Sequence, residues 1–475
     1  MSGFRLYSLE INNGKLKTDR VEMINNRSNS SSDNYFTLII GNNGTGKSRI
    51  LSEIARFFNT KLKEGKQSKI FNESHFEFNI FPSKIIAITN SISDKFPVDS
   101  SFRPSRLGTG ELYHRNFKYN YLGTRNRFNS FSNKALMNRA LEIVFESYYE
   151  YDVSRNYRHI FDYLDYEPII KINYKFRNVG LDNLNNISPK SLINLVEDKT
   201  GNPSRFGYNR NEKLIKLVKE RAVEISDFIL ERTNYRTKNN EIENEITINF
   251  SEKNIGRIRY DNSLYSENVY EYEIINILRK LGLIRNLEIQ VFKKGGMPFN
   301  FTDASSGEAS ILSTLLSLIP LLKNDSLILI DEPEISLHPL WQSKYIDLLN
   351  KILENVSGCH VIIASHSPFL ASDLNPNKSS VITLKNRKGH IKSETITNST
   401  YGWSSEDILL NVFEMPSTRN FDLYENVTKA LKLLADNNRS DKNLKVIQNR
   451  LIDFYPSILD DDPIKAVIKA IIEAY

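Results

Sequence analysis

Eight consecutive residues, Gly41-Asn42-Asn43-Gly44-Thr45-Gly46-Lys47-Ser48, hold the spacing G-x-x-x-x-G-K-S. Glycines so placed let successive backbone N–H groups turn inward on phosphate oxygens, and a following helix adds the favourable end of its dipole. The loop follows the strand-like run FTLII and precedes the helix-compatible RILSEIARFF, which is the context this chemistry requires. Lys47 is then placed to bridge the outer phosphates, and the Ser48 hydroxyl to ligate Mg²⁺. A second apolar run, SLILIDEPE, delivers Asp331 and Glu332 at a strand end. Two adjacent carboxylates repel unless a cation lies between them. Asp331 suits the metal, Glu332 the orientation or deprotonation of an attacking water. Ala304-Ser305-Ser306-Gly307-Glu308 opens a helix-forming run, so that N–H groups, hydroxyls and dipole form a second anion-binding element. On its own it reads as a plain helix cap. His366, after HVIIAS, stands where an imidazole can hydrogen-bond a terminal phosphate.

These groups need a scaffold that brings distant segments to one edge. Continuous apolar runs at 37–40, 84–89, 326–330 and 361–364 lack alternation and predict buried parallel strands covered on both faces. In open α/β sheets ligands gather at the carboxyl ends of strands, and three of these runs end on the residues just named. The expected fold is α/β: a phosphate-loop head with a mainly parallel sheet, an inserted mainly helical lobe and a C-terminal helical region. The division is 1–95 for the N-terminal part of the core, 96–285 for the insertion, 286–400 for the rest of the core and 401–475 for the helical tail. FRLYSLEINN alternates and predicts an antiparallel partner near Val21; VITLKNRKGHIKSETI predicts a hairpin turning near Lys388 and Gly389. FKYNYLGTR also alternates, as a strand with one solvated charged face would.

At 475 residues, with 40% hydrophobic and 25% charged positions, the chain has the composition of a globular protein able to bury a large core. No run reaches the length needed to span a bilayer, no secretory signal is visible, and the single Cys359 excludes an internal disulfide. The expectation is a cytoplasmic protein without a membrane partner. Net charge is +6, but 101–139 alone carries eight basic residues against one acid. Arg103, Arg106, Arg115, Lys118, Arg125 and Arg127 alternate there with aromatic residues, a pattern that fits nucleic-acid contact through 103–127 or an aromatic core face beneath solvated charges.

GNNGTGKS, SSGEAS, LILIDEPE and ASHSP together resemble ABC-type ATPases of the SMC, RecF and OLD branch. The resemblance implies ATP and Mg²⁺ as cofactors, with Gly41 to Ser48 as Walker A, Asp331 as the Walker B metal residue, and Glu332 and His366 as catalytic groups. It further implies a head-to-tail homodimer or higher homo-oligomer, Ser305, Ser306 and Gly307 of one chain acting on the ATP of another. Ala304 departs from the leucine usual in transporters, and Glu308 replaces glutamine, as in the SMC branch. Asn90, at the polar end of KIIAITN, is the candidate for the remaining metal-and-water loop. IIAITNSISDKFP, YNYLGTR, DEPEISLHP and TYGWSSEDILLNVF more narrowly resemble ATPase subunits of Septu and retron anti-phage systems. The implied partner is a separately encoded HNH nuclease. The chain itself is not expected to cut nucleic acid, since Asp460-Asp461-Asp462 reads as a helix-capping turn. The alternative is a RecF-like DNA-binding repair ATPase.

Overall fold

A computed structural model of the chain describes residues 3–14, 16–25, 32–64, 74–91, 93–98, 118–123, 133–147, 154–176, 187–200, 215–234, 244–250, 257–260 and 263–474, apart from 388, 397–398 and 437–441. Their strands are β1 (Leu6–Glu10), β2 (Lys17–Thr18), β3 (Val21–Glu22), β4 (Tyr35–Gly41), β5 (His75–Phe78), β6 (Ile85–Thr89), β7 (Tyr119–Gly123), β8 (Tyr166–Phe176), β9 (Asn244–Asn249), β10 (Arg257–Tyr260), β11 (Ser263–Ser266), β12 (Ile284–Lys293), β13 (Pro298–Asn300), β14 (Leu327–Asp331), β15 (His360–Ala364), β16 (Ser379–Arg387) and β17 (His390–Thr395). The helices used below are α1 (Lys47–Glu64), α2 (Asn133–Ser147), α3 (Ser154–Leu164), α4 (Ser306–Leu318), α5 (Pro339–Ser343), α6 (Tyr345–Ile352), α7 (Phe421–Ala435), α8 (Lys442–Phe454) and α9 (Pro463–Glu473).

Contact grouping divides the chain into Met1–Tyr401 and Gly402–Tyr475. The first unit is organised by an eight-stranded sheet of order β2-β17-β16-β4-β15-β14-β6-β7. Its central strands β4, β15, β14 and β6 are parallel, and β14, β15 and β6 are buried at every position, as their unbroken Ile, Leu, Val and Ala content dictates. Register aligns their carboxyl ends: Asp331 lies opposite both Ala364 and Thr89, and Ala364 opposite Ile39. The phosphate loop, the DEPE segment, the Asn90 loop and His366 therefore leave the sheet at one edge. The hairpin β16–β17 pairs Arg387 with His390, and β1 pairs antiparallel with β3, both as the sequence predicts.

The opposite end is closed by polar locks. The fully buried His360 ring accepts the Leu6 N–H at 3.1 Å on Nδ1 and meets the Thr37 hydroxyl at 2.9 Å on Nε2. Burial drives its pKa well below the usual value, so the ring is neutral with the proton on Nε2. Arg5 is likewise buried and donates to the carbonyls of Phe4 (2.7 Å), Gly358 (3.3 Å) and Asp33. Together they clamp β1 across the start of β15. Above β1, α1 packs Phe57 flat on Phe76 of β5 at a 4.1 Å centroid distance.

Within 96–285 the structure differs from a mainly helical lobe in two respects. β7 is the outer parallel strand of the central sheet and is buried throughout, rather than half-solvated; its Asn120 is only 6% exposed. β8 and β9 join β12 and β13 in a four-stranded antiparallel sheet of order β13-β12-β8-β9. Helix α2 packs on α4, and α3 packs on β8 and α6. The unit Gly402–Tyr475 has its own core, in which α7, α8 and α9 bury Val427, Ala430, Leu444, Ile447, Leu451, Ile468 and Ile471. Asp462 caps α9 by accepting the Ile464 N–H, the capping role predicted for that acidic turn.

Candidate nucleotide site

Gly41 closes β4 and the loop to Lys47 turns over the sheet edge. Gly46 has φ +88°, left-handed backbone that favours glycine, while a Cβ there would meet only the movable tip of Ile391 at 2.4 Å. Asn386 Nδ2 donates to the Gly44 carbonyl at 3.2 Å and braces the loop from the β16–β17 hairpin. Lys47 is buried, and its ammonium donates to the loop's own carbonyls at Gly41 (2.8 Å) and Asn42 (3.3 Å). Burial lowers its pKa to about 8, opposed by the carboxylates of Glu332, Glu334 and Asp331. An anionic ligand in the loop restores the charge that burial penalises.

Ser48 Oγ donates to Asp331 Oδ1 at 2.9 Å, which brings the two expected metal ligands into contact across the sheet. Burial pushes the Asp331 carboxyl up to about 7, and Glu332, Asp94 and Glu334 add repulsion while Ser48 opposes it. A hydroxyl and a carboxylate side by side in an excess of negative charge fit a divalent cation. Mg²⁺ is commonly held by one or two protein groups together with phosphates and water, a role this pair fits. Such an ion supplies neutralisation of charge on the transferring phosphoryl group.

Glu332 follows in a left-handed conformation, φ +50°, unusual for a residue with a Cβ and a sign of local strain. His366 Nε2 lies 3.8 Å from Glu332 Oε1. Burial, followed by the positive charge of Lys47, lowers the His366 pKa to about 4, so the imidazole is neutral at pH 7. Its backbone N–H donates to Glu334 Oε1 at 2.5 Å. Glu334 is itself raised, chiefly by burial. Asn90 is hydrogen-bonded to Ser310 of α4 through Oδ1 and to the Pro333 carbonyl through Nδ2 at 3.5 Å. It therefore links the DEPE turn to the helix that begins at the SSGE segment.

That segment does not meet the phosphate loop of its own chain in any described contact. Ser305 caps α4 in a reciprocal box: its hydroxyl accepts the Glu308 N–H at 3.3 Å, and its own N–H donates to Glu308 Oε2 at 3.0 Å. Lys293 holds the other Glu308 oxygen at 2.9 Å. Ser305 and Ser306 are exposed, whereas Gly307 is buried against the turn after DEPE, where a Cβ would stand 2.2 Å from the Ser336 carbonyl oxygen. The structure thus gathers Gly41 to Ser48, Asp331, Glu332 and His366, and sets Ser305 and Ser306 on a separate exposed rim. The greater part of the basic segment 103–127 lies outside the described residues. Sequence reasoning missed Asp94, which accepts from the Tyr121 hydroxyl at 2.7 Å behind Asp331, and Gln342, treated below. No local spacing marks either one.

Strand order, phosphate loop and paired carboxylates give an α/β architecture with a mainly parallel sheet that resembles ABC/SMC-like P-loop ATPases. Residues 167–373 match the family described as "AAA domain, putative AbiEii toxin, Type IV TA system". Over 117 residues the chain is 32% identical to protein ea59 of Escherichia phage lambda, covering 23% of this chain and 22% of that protein. It is 22% identical over 479 residues to the Retron Vc95 probable ATPase of Vibrio cholerae serotype O1 biovar El Tor, covering 92% and 87%. It is also 31% identical over 117 residues to Septu protein PtuA of Bacillus thuringiensis, covering 24% of this chain and 28% of PtuA. The matches to ea59 and PtuA thus span about a quarter of those relatives' length.

Proposed function

We propose that the chain binds and hydrolyses ATP with Mg²⁺, closes head-to-tail with another copy around the nucleotide, and through that closure regulates a separately encoded HNH nuclease in anti-phage defence. The observation that carries this reading is the 2.9 Å contact of Ser48 with Asp331, with buried Lys47 on one side and the Glu332–His366 pair on the other. Phosphates enter the loop N–H groups and draw Lys47 Nζ off the Gly41 and Asn42 carbonyls. Ser48 and Asp331 hold the metal. Glu332 accepts the proton of the attacking water, and neutral His366 donates a hydrogen bond to the terminal phosphate. Exposed Ser305 and Ser306 at an α4 N-terminus, backed by Gly307, offer their hydroxyls and the positive end of the helix to phosphates held by another copy. The likeness to PtuA and to the retron ATPase supports the defence role; on this reading a partner nuclease does the cutting.

Glu332→Gln keeps the site's shape and removes the base. With ATP and Mg²⁺ it is expected to sediment as a dimer or larger, while Lys47→Ala binds ATP too weakly to associate. A Glu332→Gln chain that remains a monomer at saturating ATP would contradict the head-to-tail reading. Co-purification with the product of a neighbouring HNH gene tests the partner. A RecF-like reading predicts instead that DNA stimulates hydrolysis and that reversing the charges between Arg103 and Arg127 abolishes the stimulation.

A further inference from the structure

The catalytic edge rests on two short segments outside any strand: the turn 332–338 and the loop Ser365–Ser367. Glu332 (φ +50°) and Ser336 (φ +65°) both adopt left-handed backbone, and the turn's own backbone bonds are two, Ile335 N–H to the Glu332 carbonyl at 3.2 Å and Leu337 N–H to the Glu334 carbonyl at 3.0 Å. Two side chains fasten it to the histidine loop. One is Glu334, on the His366 N–H. The other is Gln342 in α5. Its Nε2 donates to the Leu337 carbonyl at 3.0 Å, and its Oε1 accepts the Ser367 hydroxyl at 2.7 Å. A carbonyl can only accept, so Leu337 fixes which end of the amide is nitrogen and leaves the oxygen for Ser367. Ser367 is only 3% exposed and its N–H donates to Ser365 Oγ at 2.9 Å, so the Gln342 bond reaches a buried, hydrogen-bonded part of the loop. Next to it, the Trp341 carbonyl accepts the Tyr163 hydroxyl of α3, which anchors α5 from the other side.

We infer that Gln342 is a positioning residue for the hydrolytic step, fixing His366 relative to Glu332 by tying the carbonyl of Leu337 to the hydroxyl of Ser367. This rests on the reading of His366 and Glu332 given above. The described bonds of Gln342 go to Leu337 and Ser367, so it acts through the histidine loop. An amide suits the task because it donates and accepts in one plane at a fixed separation. Leucine has nearly its volume and neither function, whereas glutamate keeps the acceptor and sets a carboxylate against the Leu337 carbonyl.

The test is a double-mutant cycle on the full chain, reading kcat and the dissociation constant of a fluorescent ATP analogue for Gln342→Leu, His366→Ala and the pair. Gln342→Leu is expected to lower kcat about tenfold or more and to leave the dissociation constant within about twofold, because ground-state phosphate contacts remain. In the His366→Ala background it is expected to cost nothing further, since residues that act as one unit are not additive. Ser367→Ala, which removes only the far bond, should show the same dependence on His366 and covers the case of a Gln342→Leu chain that does not fold. Gln342→Glu should fall between the parent and Gln342→Leu. A kcat within about twofold of the parent for both Gln342→Leu and Ser367→Ala overturns the inference. So does an equal loss in both backgrounds, which would mark a merely structural residue. If His366→Ala itself leaves kcat unchanged, the reading of the histidine fails, and this inference with it.

Discussion

His366 is a neutral ring at pH 7, because burial and the nearby Lys47 hold its pKa at about 4 against an ordinary value of 6.5. Between those two values the unfolded chain binds more protons at this position than the folded one. The His366 contribution to stability is therefore complete above about pH 6.5 and is lost as pH falls toward 4. Melting temperature is expected to drop between pH 7 and pH 5, and to drop less in His366→Gln; an identical pH dependence in the two would show that His366 is not the titrating group. The residues proposed for the chemistry were legible where spacing alone defines them, as in Gly41 to Ser48 and in Asp331-Glu332. Gln342, Asp94 and the Asn90–Ser310 pair were not, since each depends on a partner brought near only by folding: Ser367, Tyr121 and a serine 220 positions away.

Elements were legible to the extent that burial was symmetric. β6, β14 and β15 are covered on both faces, so their apolar runs are continuous and mark them directly. β7 was misread because Asn120 interrupts two tyrosines and imitates alternation, although all five positions are buried. Short strands at 169–174 and 245–250 were legible and are β8 and β9, but their antiparallel sheet with β12 and β13 was not, its strands being scattered among helices from 166 to 300. The start of α4 yields a prediction at this scale. A methyl group at Gly307 would meet the Ser336 carbonyl oxygen at 2.2 Å, and backbone cannot swing aside as a long side chain does. Gly307→Ala is expected to cost about 1–3 kcal/mol of stability, in the range of overpacking a tight site. It should also lower ATP turnover, since the displaced turn carries the Leu337 carbonyl. Calorimetry and a steady-state assay check both, and an unshifted melting curve would mean that the contact is looser than it stands.

Over the whole molecule, the two units have separate cores and offer separate transitions. Leu451 is fully buried in the small bundle, and Leu451→Ala is expected to remove about 2–5 kcal/mol from its unfolding. Because the phosphate loop and the DEPE segment lie in Met1–Tyr401, ATP affinity should stay unchanged. Calorimetry with and without ATP separates the two: nucleotide should raise the transition of the large unit in parent and variant alike. A loss of ATP binding in Leu451→Ala would mean that the units unfold as one.

The pairing of Tyr35 with His360 sets a timetable for synthesis. The strand that ends in the phosphate loop emerges from the ribosome early, yet both of its neighbours in the sheet, β15 and β16, are translated only near the end of the large unit. At about 5–20 residues per second, the nascent loop and the apolar strand before it wait on the order of tens of seconds without a sheet to join. During that interval the chain has an exposed hydrophobic edge and no assembled site. Chaperone demand should therefore track elongation speed, and a slowed ribosome should harm the yield of this protein more than that of one whose strands pair with near neighbours.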